Sequence, residues 1–516
     1  MPARQKVSQI VSFPAPIGGW NVRDPLPMMQ PGFAPTLDNC FCLPSEIMVR
    51  KGYAQWATFE GNCNTLLSYN DVDGTDYLYA AVDNSGECAI YDVTTDGEKT
   101  VAEIDNLTSA YFKEAHFSTI GGNFAYYVNN SDPAIVYDGT TWQEVTTTST
   151  PYAITGPSDT VFKDVTIFKR RLWFVPDDSL TAWYLPVDQV AGAAVQYNFA
   201  PIFPRGGKIV KIDTWSLDAG TGLDDHMVIF TTEGEVAVYQ GTDPASASTW
   251  GLVGVFYIGS PTASGFSCKY GGDLLILNRD GIAQMSKSLM SSRVNTQLQL
   301  TDKIQPQLAA DTSKYASFQE WDLLLFPPEN MLIVNIPTGA GRYYQYVMNT
   351  ISGAWARWTN LPSRCWKMSD DKLWFGSNGF VARAWINSND NGAVIQADII
   401  PAYNHFGLGT QSKRFSLARV IFGTTGQVTY GVRMEVDFNP SPKPIAIPFS
   451  PSLEDAIYDI SKYDESVYGS SLKIKGKWQN VSNIGYWGSL HMAIKTRAAE
   501  AHIYSYDVAV EAGGVL

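Results

Sequence analysis

The sequence predicts an all-β fold: a β-propeller-like repeat array of six or seven blades, with an extended N-terminal arm and a C-terminal antiparallel β domain. Three observations carry this. A hairpin of one kind recurs about every fifty residues, and β-type units at such a period mark propellers. Aromatic residues make up 13% of the chain and glycines number 43, while charged residues reach only 17%. Tyr, Trp and Phe pack on half-buried pleated surfaces, and glycine supplies the positive φ of tight turns. Helical periodicity is nearly confined to Thr301–Lys314, where Pro306 is expected to interrupt it.

In chain order, residues 1–60 read as an extended arm. Pro14, Pro16, Pro25, Pro27, Pro31 and Pro35 crowd this stretch, and it has too few alternating apolar positions to fold alone. Trp20 and Phe33 are expected to anchor it on another subunit or an adaptor protein. Residues 61–386 carry the hairpins, registered at Tyr77, Phe124, Leu172, Met227, Leu274, Met331 and Leu373. Each is an apolar run, a polar turn and a second aromatic or β-branched run, as in NFAYYVNNSDPAIVYDG from Asn123. Outer strands flank them, for example Tyr111–Ile120 and Thr141–Val145. The most apolar runs, such as Tyr126–Tyr127, Leu172–Phe174 and Val228–Phe230, are assigned to central strands buried on both faces. One such unit cannot cover both its faces, so neighbours must stack around an axis. Beyond Trp385 the hairpins stop, and residues 387–516 show alternating runs at Arg419–Phe422, Val428–Phe438, Leu472–Trp478 and His491–Val510. These predict a sandwich or barrel.

The formal net charge is −14, which disfavours affinity for phosphate backbones. No apolar run approaches the length of a membrane span, so no stable membrane insertion is expected. The N-terminal residues show no signal-peptide apolar stretch, so folding in the cytosol is expected. Six cysteines are too sparse for a disulfide framework. Cys40 and Cys42 have poor zinc spacing with no second pair nearby, so no metal and no cofactor is expected. Asn70–Asp76 resembles part of a calcium loop but lacks the full ligand alternation, and Asp-Gly between strands is a hairpin turn. Asp138–Trp142 is reminiscent of a sialidase-type Asp-box in a single shifted copy, and reads as a blade turn. The acidic pairs Asp224–Asp225 and Asp370–Asp371 fall in turns, where solvated charge outweighs glycosidase chemistry. The basic run Lys169–Arg171 reads as a guarded strand edge. The five histidines are scattered, and no catalytic constellation emerges.

One family resemblance is specific. Gly18-Gly19-Trp20-Asn21 with Asp24 is followed by Leu37-Asp38-Asn39 and then by Arg50-Lys51-Gly52-Tyr53. This order resembles the opening of tail nozzle proteins of short-tailed bacteriophages. Ser412-Lys413-Arg414-Phe415, Val436-Asp437-Phe438 and the terminal run from Val508 are similar too.

The resemblance implies a structural virion protein, not an enzyme, assembled in the host bacterial cytoplasm and resident in the virion tail. Its partners would be its own copies in a hexameric ring, the ring of tail adaptor (head-completion) proteins, and tail fibres or tip proteins. Double-stranded DNA would pass through without specific binding. Gly18, Gly19, Trp20, Asn21, Asp24, Asn39, Arg50 and Gly52 would form the docking arm. An acidic or neutral lumen keeps DNA mobile, which nominates the loops Asp218–Asp225, with Asp218, Asp224 and Asp225, and His405–Thr410, with His405, as channel lining. The competing readings are a carbohydrate-binding or carbohydrate-cleaving propeller of the tail, whose aromatics would stack on sugars, and a monomeric intracellular scaffold.

Overall fold

Each recurring hairpin folds as expected, because its two apolar runs alternate and a polar turn separates them. A computed structural model describes residues 8–218, 223–261, 265–289, 299–439, 442–449 and 472–513. Antiparallel meanders dominate. One sheet orders Lys113–Thr119, Gly122–Val128, Ile135–Tyr137 and Trp142–Glu144. The next holds Asp164–Phe168, Arg171–Val175, Thr181–Tyr184 and Val195–Asn198, and a third holds Ile209–Asp218, Leu223–Thr231, Glu235–Gly241 and Trp250–Tyr257. A fourth has three strands, Ser267–Tyr270, Asp273–Asn278 and Gly281–Gln284. The arrangement is that of a β-propeller.

Four sheets therefore stand as separate blades, against the six or seven expected. The other hairpins belong to one continuous 18-stranded sheet. The cause is a single strand, Gly52–Asn70. Its first half pairs with Asn378–Ile386 and its second half with Asp76–Asn84, so it belongs to two hairpin units at once. Gly61, at φ +110° and against the backbone of Asp83, lies where the strand passes from one to the other.

Strand alternation explains the packing. Along Gly122–Val128, Tyr126 joins a core with Leu172 and Phe174 of the following unit, while Ala125 and Tyr127 face Leu67 and Tyr79 of the preceding one. One unit later Trp173 packs with Met227 and Ile229, and Val228 and Phe230 pack onward toward Leu274 and Ile276. Met331 and Ile333 share a core with Leu373 and Phe375, and Trp374 shares another with Leu66 and Val82. Tyr79, Tyr126–Tyr127, Leu172–Phe174, Val228–Phe230, Leu274–Leu277 and Leu373–Phe375 are all buried on second strands of their units.

The C-terminal part contributes two packed sheets. One runs Lys473–Lys475, Lys413–Thr424, Ala501–Ala512, Ile47–Val49 and Cys40–Cys42, with Gln9–Pro14 and Gln479–Gly485 alongside. The other brings Ala393–Ile400, Gly488–Thr496 and Val428–Val436 together with Thr36–Asp38. Residues 8–50 are thus woven into both sheets rather than extended as an arm. Their strands are two to six residues long; Gln9–Pro14, Thr36–Asp38 and Ile47–Val49 take partners hundreds of positions away, as in Ile10 against Ala509, while Gly19–Trp20 pairs with Phe33–Ala34 and Cys40–Cys42 with Ile47–Val49. Thr301–Lys314 does form a helix, at Gln305–Tyr315. Pro306 opens it rather than interrupting it, since first-turn N–H groups have no intrahelical partner to lose.

Candidate functional site

Five residues of the N-terminal motif, Gly19, Trp20, Asn39, Arg50 and Gly52, reach a junction between the propeller and the C-terminal sheets, while Gly18, Asn21 and Asp24 make contacts nearer at hand. Asn39 adopts φ 55°, a left-handed turn that Asn tolerates better than most residues. That turn aims its amide at two separate elements. Its Oδ1 accepts from Arg50 Nε and from the Thr359 N–H, both at 2.9 Å. Its Nδ2 donates to Thr359 Oγ1 at 2.9 Å and to the Gln396 carbonyl at 2.8 Å. Arg50 is 1% exposed and forks onto Asp390, with Nη1 and Nη2 each 2.7 Å from a carboxylate oxygen. Its remaining N–H groups reach the carbonyls of Lys51 and Thr359. Gly52 has no room for a side chain, because a Cβ there would overlap the Asn389 backbone.

Trp20, expected to anchor on a partner, is instead buried against Tyr346, with Nε1 donating to the Pro35 carbonyl at 3.2 Å. Arg357 lies over the indole and pairs with both carboxylate oxygens of Asp38 at 2.8 Å. Phe33 is half-buried, with Lys303 over its ring. Gly19, at φ +89°, lets the chain pass against the Trp355 backbone, and a Cβ on Gly18 would press on the Gly32 carbonyl. Asn21 Oδ1 accepts the N–H groups of Arg23 and Asp24, and its Nδ2 donates to Asp24 at 2.8 Å. The motif therefore serves the chain's own fold. Sequence reasoning missed its far partners Asp390, Arg357 and Thr359, because Asp390 reads locally as one more polar turn residue.

The C-terminal motif residues also build contacts. Lys413, fully buried, donates to the carbonyls of Leu408 and Gln411 at 2.6 and 2.8 Å. Phe415 packs on Phe406. Asp437 accepts the N–H groups of Tyr486 and Trp487, and Phe438 packs on Trp487.

The first strands of successive units face a common axial cavity of about 840 Å³, lined by residues such as Leu66, Lys113, Val165, Lys211, Leu324 and Lys367. Polar bonds stitch one unit to the next around it. Glu114 pairs with Lys367 and accepts the Ser68 N–H at 3.0 Å. Although burial opposes it, Lys367 and His116 hold the Glu114 carboxyl well below its usual range. Asp164 accepts the Ile212 N–H at 2.8 Å, and burial, only partly offset by Lys211, pushes its carboxyl up to about 6. Asp213 takes Lys211 at 3.0 Å and Ser267 at 2.7 Å. Burial raises Asp322, which accepts the Trp366 N–H, and burial together with Lys211 lowers Lys113. Cations and carboxylates alternate here, so the cavity carries no single sign.

The nominated channel residues divide. Asp218 and Asp224 lie in paired strands rather than in a long flexible loop, with Leu217 opposite Asp224 and Asp218 opposite Leu223, while 219–222 lie outside the described residues. Asp225 is an ion-paired strand residue, 2.8 Å from Lys169 and 2.7 Å from Ser216 Oγ. The pairing with Lys169, against a smaller cost of burial, lowers its carboxyl and cancels the free negative charge expected of it. His405 is exposed in a turn, edge-on to Trp487. The acidic turns are local devices: Asp138 accepts the N–H groups of Thr140 and Thr141, and Asp73 accepts that of Thr75.

Between the C-terminal strands, His491 stands between two carboxylates, with Nε2 2.6 Å from Asp398 and Nδ1 2.9 Å from Glu435. Lys443 approaches Asp398 at 2.6 Å. Burial works against the charged ring, but the two carboxylates raise His491 above its ordinary value. Among the described residues no group of His, Cys, Asp and Glu has metal-site geometry, and no helix is long and apolar enough to cross a membrane.

No family model and no curated protein matches the chain. Solved structures resemble it at low identity. BBS1N in complex with ARL6DN has 9% identity over 66% of this chain and 99% of that one, at a TM-score of 0.37. YCF48 bound to D1 peptide has 13% identity over 56% and 89%, at 0.32. Raptor of Chaetomium thermophilum has 10% identity over 66% and 30%, at 0.36.

Proposed function

We propose that the chain is a structural component of a phage tail nozzle: a subunit of a hexameric ring at the distal end of a short tail, through which the genome leaves. The observation that carries this reading is the fate of the motif. Gly19, Trp20, Asn39, Arg50 and Gly52, scattered over more than thirty positions, meet residues between 346 and 396, while Gly18, Asn21 and Asp24 shape the turn that carries Gly19 and Trp20 there. A shared motif of that kind fits a family that conserves how a propeller is fixed to a second body. In a ring, that fixture sets where each propeller stands relative to its neighbours.

In this reading the propeller has seven blades. The four separate sheets are joined by Asp322–Thr359, by Cys365–Ile386 with the first half of the Gly52–Asn70 strand, and by the second half of that strand with its hairpin. The shared cores between successive units, from Leu67 and Tyr127 round to Trp374 and Leu66, support closure. The ring would dock to tail adaptor proteins and carry fibres or tip proteins, with DNA passing unbound. A net charge of −14 suits a wall that must not retain phosphates.

The test is to mix the purified protein with adaptor-bearing tails that lack a nozzle and image the products. A six-fold ring with a central channel, added at the tail end, is the expected outcome. A protein that stays monomeric and leaves such tails unchanged would overturn the reading, and polysaccharide cleavage by that monomer would favour the carbohydrate alternative.

A further inference from the structure

At the point where the Gly52–Asn70 strand crosses between two units, two thiols face each other. Cys63 Sγ and Cys365 Sγ are 4.0 Å apart, although 302 positions separate them in the chain. Both side chains are held in place. Cys63 Sγ points at the Thr65 carbonyl at 3.6 Å, and Cys365 Sγ points at the Cys63 carbonyl at 3.7 Å. The space they occupy is made by Gly376, the cross-strand partner of Cys365, where a Cβ would collide with both sulfurs. Gly376 has no positive φ to justify a glycine, so room for the sulfurs is its evident purpose.

We propose that Cys63 and Cys365 form a redox latch, a disulfide that staples the seam where the propeller's first and last hairpin units meet. A disulfide needs its sulfurs about 2 Å apart, which a rotation of each side chain within this pocket can supply. Access is asymmetric. Cys63 is fully buried, whereas Cys365 is 8% exposed and lines the axial cavity. A low-molecular-weight disulfide RSSR entering that cavity therefore meets Cys365 first. The Cys365 thiolate attacks one sulfur, giving a Cys365–SR mixed disulfide and releasing RS⁻. Cys63 then loses its proton and attacks Cys365 Sγ, forming the Cys63–Cys365 bond and expelling the second RS⁻. Two protein thiols are oxidised and one RSSR is reduced to two RSH. Burial holds the Cys63 thiol well above its usual range, which makes the second step slow at neutral pH and faster as the medium becomes alkaline. In a reducing cytosol the latch stays open, and an oxidising medium closes it.

The test uses the reduced full-length protein with 2,2′-dithiodiethanol as oxidant. Free thiols counted in denaturant should fall from the six of the sequence to four. Peptide mapping without reductant should show one linked pair containing Cys63 and Cys365, lighter by about 2 Da than the two free peptides. Closing so long a loop should raise the melting temperature by on the order of 5 °C, reversed by dithiothreitol. Cys63→Ser should trap the mixed disulfide on Cys365, and Cys365→Ser should leave Cys63 unmodified. If a serine variant misfolds, the wild-type peptide map decides alone. A wild type that stops at the mixed disulfide, or that links any other cysteine pair, would overturn the proposal.

Discussion

Replacing Arg50 by Met keeps the length of the side chain and removes five hydrogen bonds from a site that water does not reach. Asp390, itself 9% exposed, loses both hydrogen bonds to its carboxylate, and the bonds to the carbonyls of Lys51 and Thr359 and to Asn39 Oδ1 are lost with them. Removing one member of a buried ion pair costs about 3–5 kcal/mol, because the other charge stays desolvated and uncompensated. The site joins two bodies, so this cost should appear as local opening before global unfolding. Hydrogen exchange of peptides covering 36–51 and 387–400 should accelerate on the order of 10²- to 10⁴-fold in Arg50→Met, while peptides of the Asp164–Asn198 blade stay unchanged. Asp390→Asn should do nearly the same. The double variant should cost less than the sum by about 0.5–3 kcal/mol, since each change removes the same bonds. Acceleration below tenfold in Arg50→Met would mean that the junction is held by packing alone and that the motif's Arg is incidental.

Trp20→Ala removes a buried indole from between Tyr346 and Arg357 and should cost about 3–5 kcal/mol, read from the urea midpoint; a loss under 1 kcal/mol would put the indole outside the core. His491 is a base with a raised folded pKa, so its contribution is complete below 6.5 and fades as pH climbs through that raised value. The wild type should lose melting temperature from pH 6.5 upward and His491→Gln should lack that slope; parallel curves would refute it. Asp164 is the opposite case, an acid whose ordinary value of 3.8 is raised to about 6 by burial, so its charge destabilises increasingly as pH rises through that window. Asp164→Asn should be more stable than wild type by up to about 3 kcal/mol at pH 7.5, with the difference vanishing below pH 4. A constant difference across that range would remove the titration from the account.

What the sequence disclosed follows from how far apart interacting residues lie. The hairpins were legible because both strands and their turn fit within about twenty residues, and the alternation of Tyr126 and Tyr127 or Trp173 and Phe174 is local. The Pro-rich start was misread as an arm for the converse reason. Gly19–Trp20, Phe33–Ala34 and Thr36–Asp38 are too short to show a period, and Asn39 meets Gln396 across 357 positions. The Gly52–Asn70 strand concealed its double membership, since only Gly61 interrupts it, and so the hairpin count gave six or seven blades where four stand as separate sheets. Asp225 looked free because its counterion, Lys169, belongs to the preceding blade.

The shared Gly52–Asn70 strand also fixes a schedule for the newborn chain. Its first half leaves the ribosome early, but its partner Asn378–Ile386 and the Asp390 that Arg50 requires, 340 positions later, follow only after roughly twenty seconds to a minute of synthesis. Throughout that interval the nascent protein carries an open strand edge and an unneutralised arginine, with Ile47–Val49, already paired to Cys40–Cys42, still waiting for Ala501–Ala512. The blades between can form one by one as they emerge, yet none of that progress seals the molecule. Closure is a single late event, so a ribosome that stalls anywhere before about residue 400 releases a chain with a sticky margin rather than a smaller working protein.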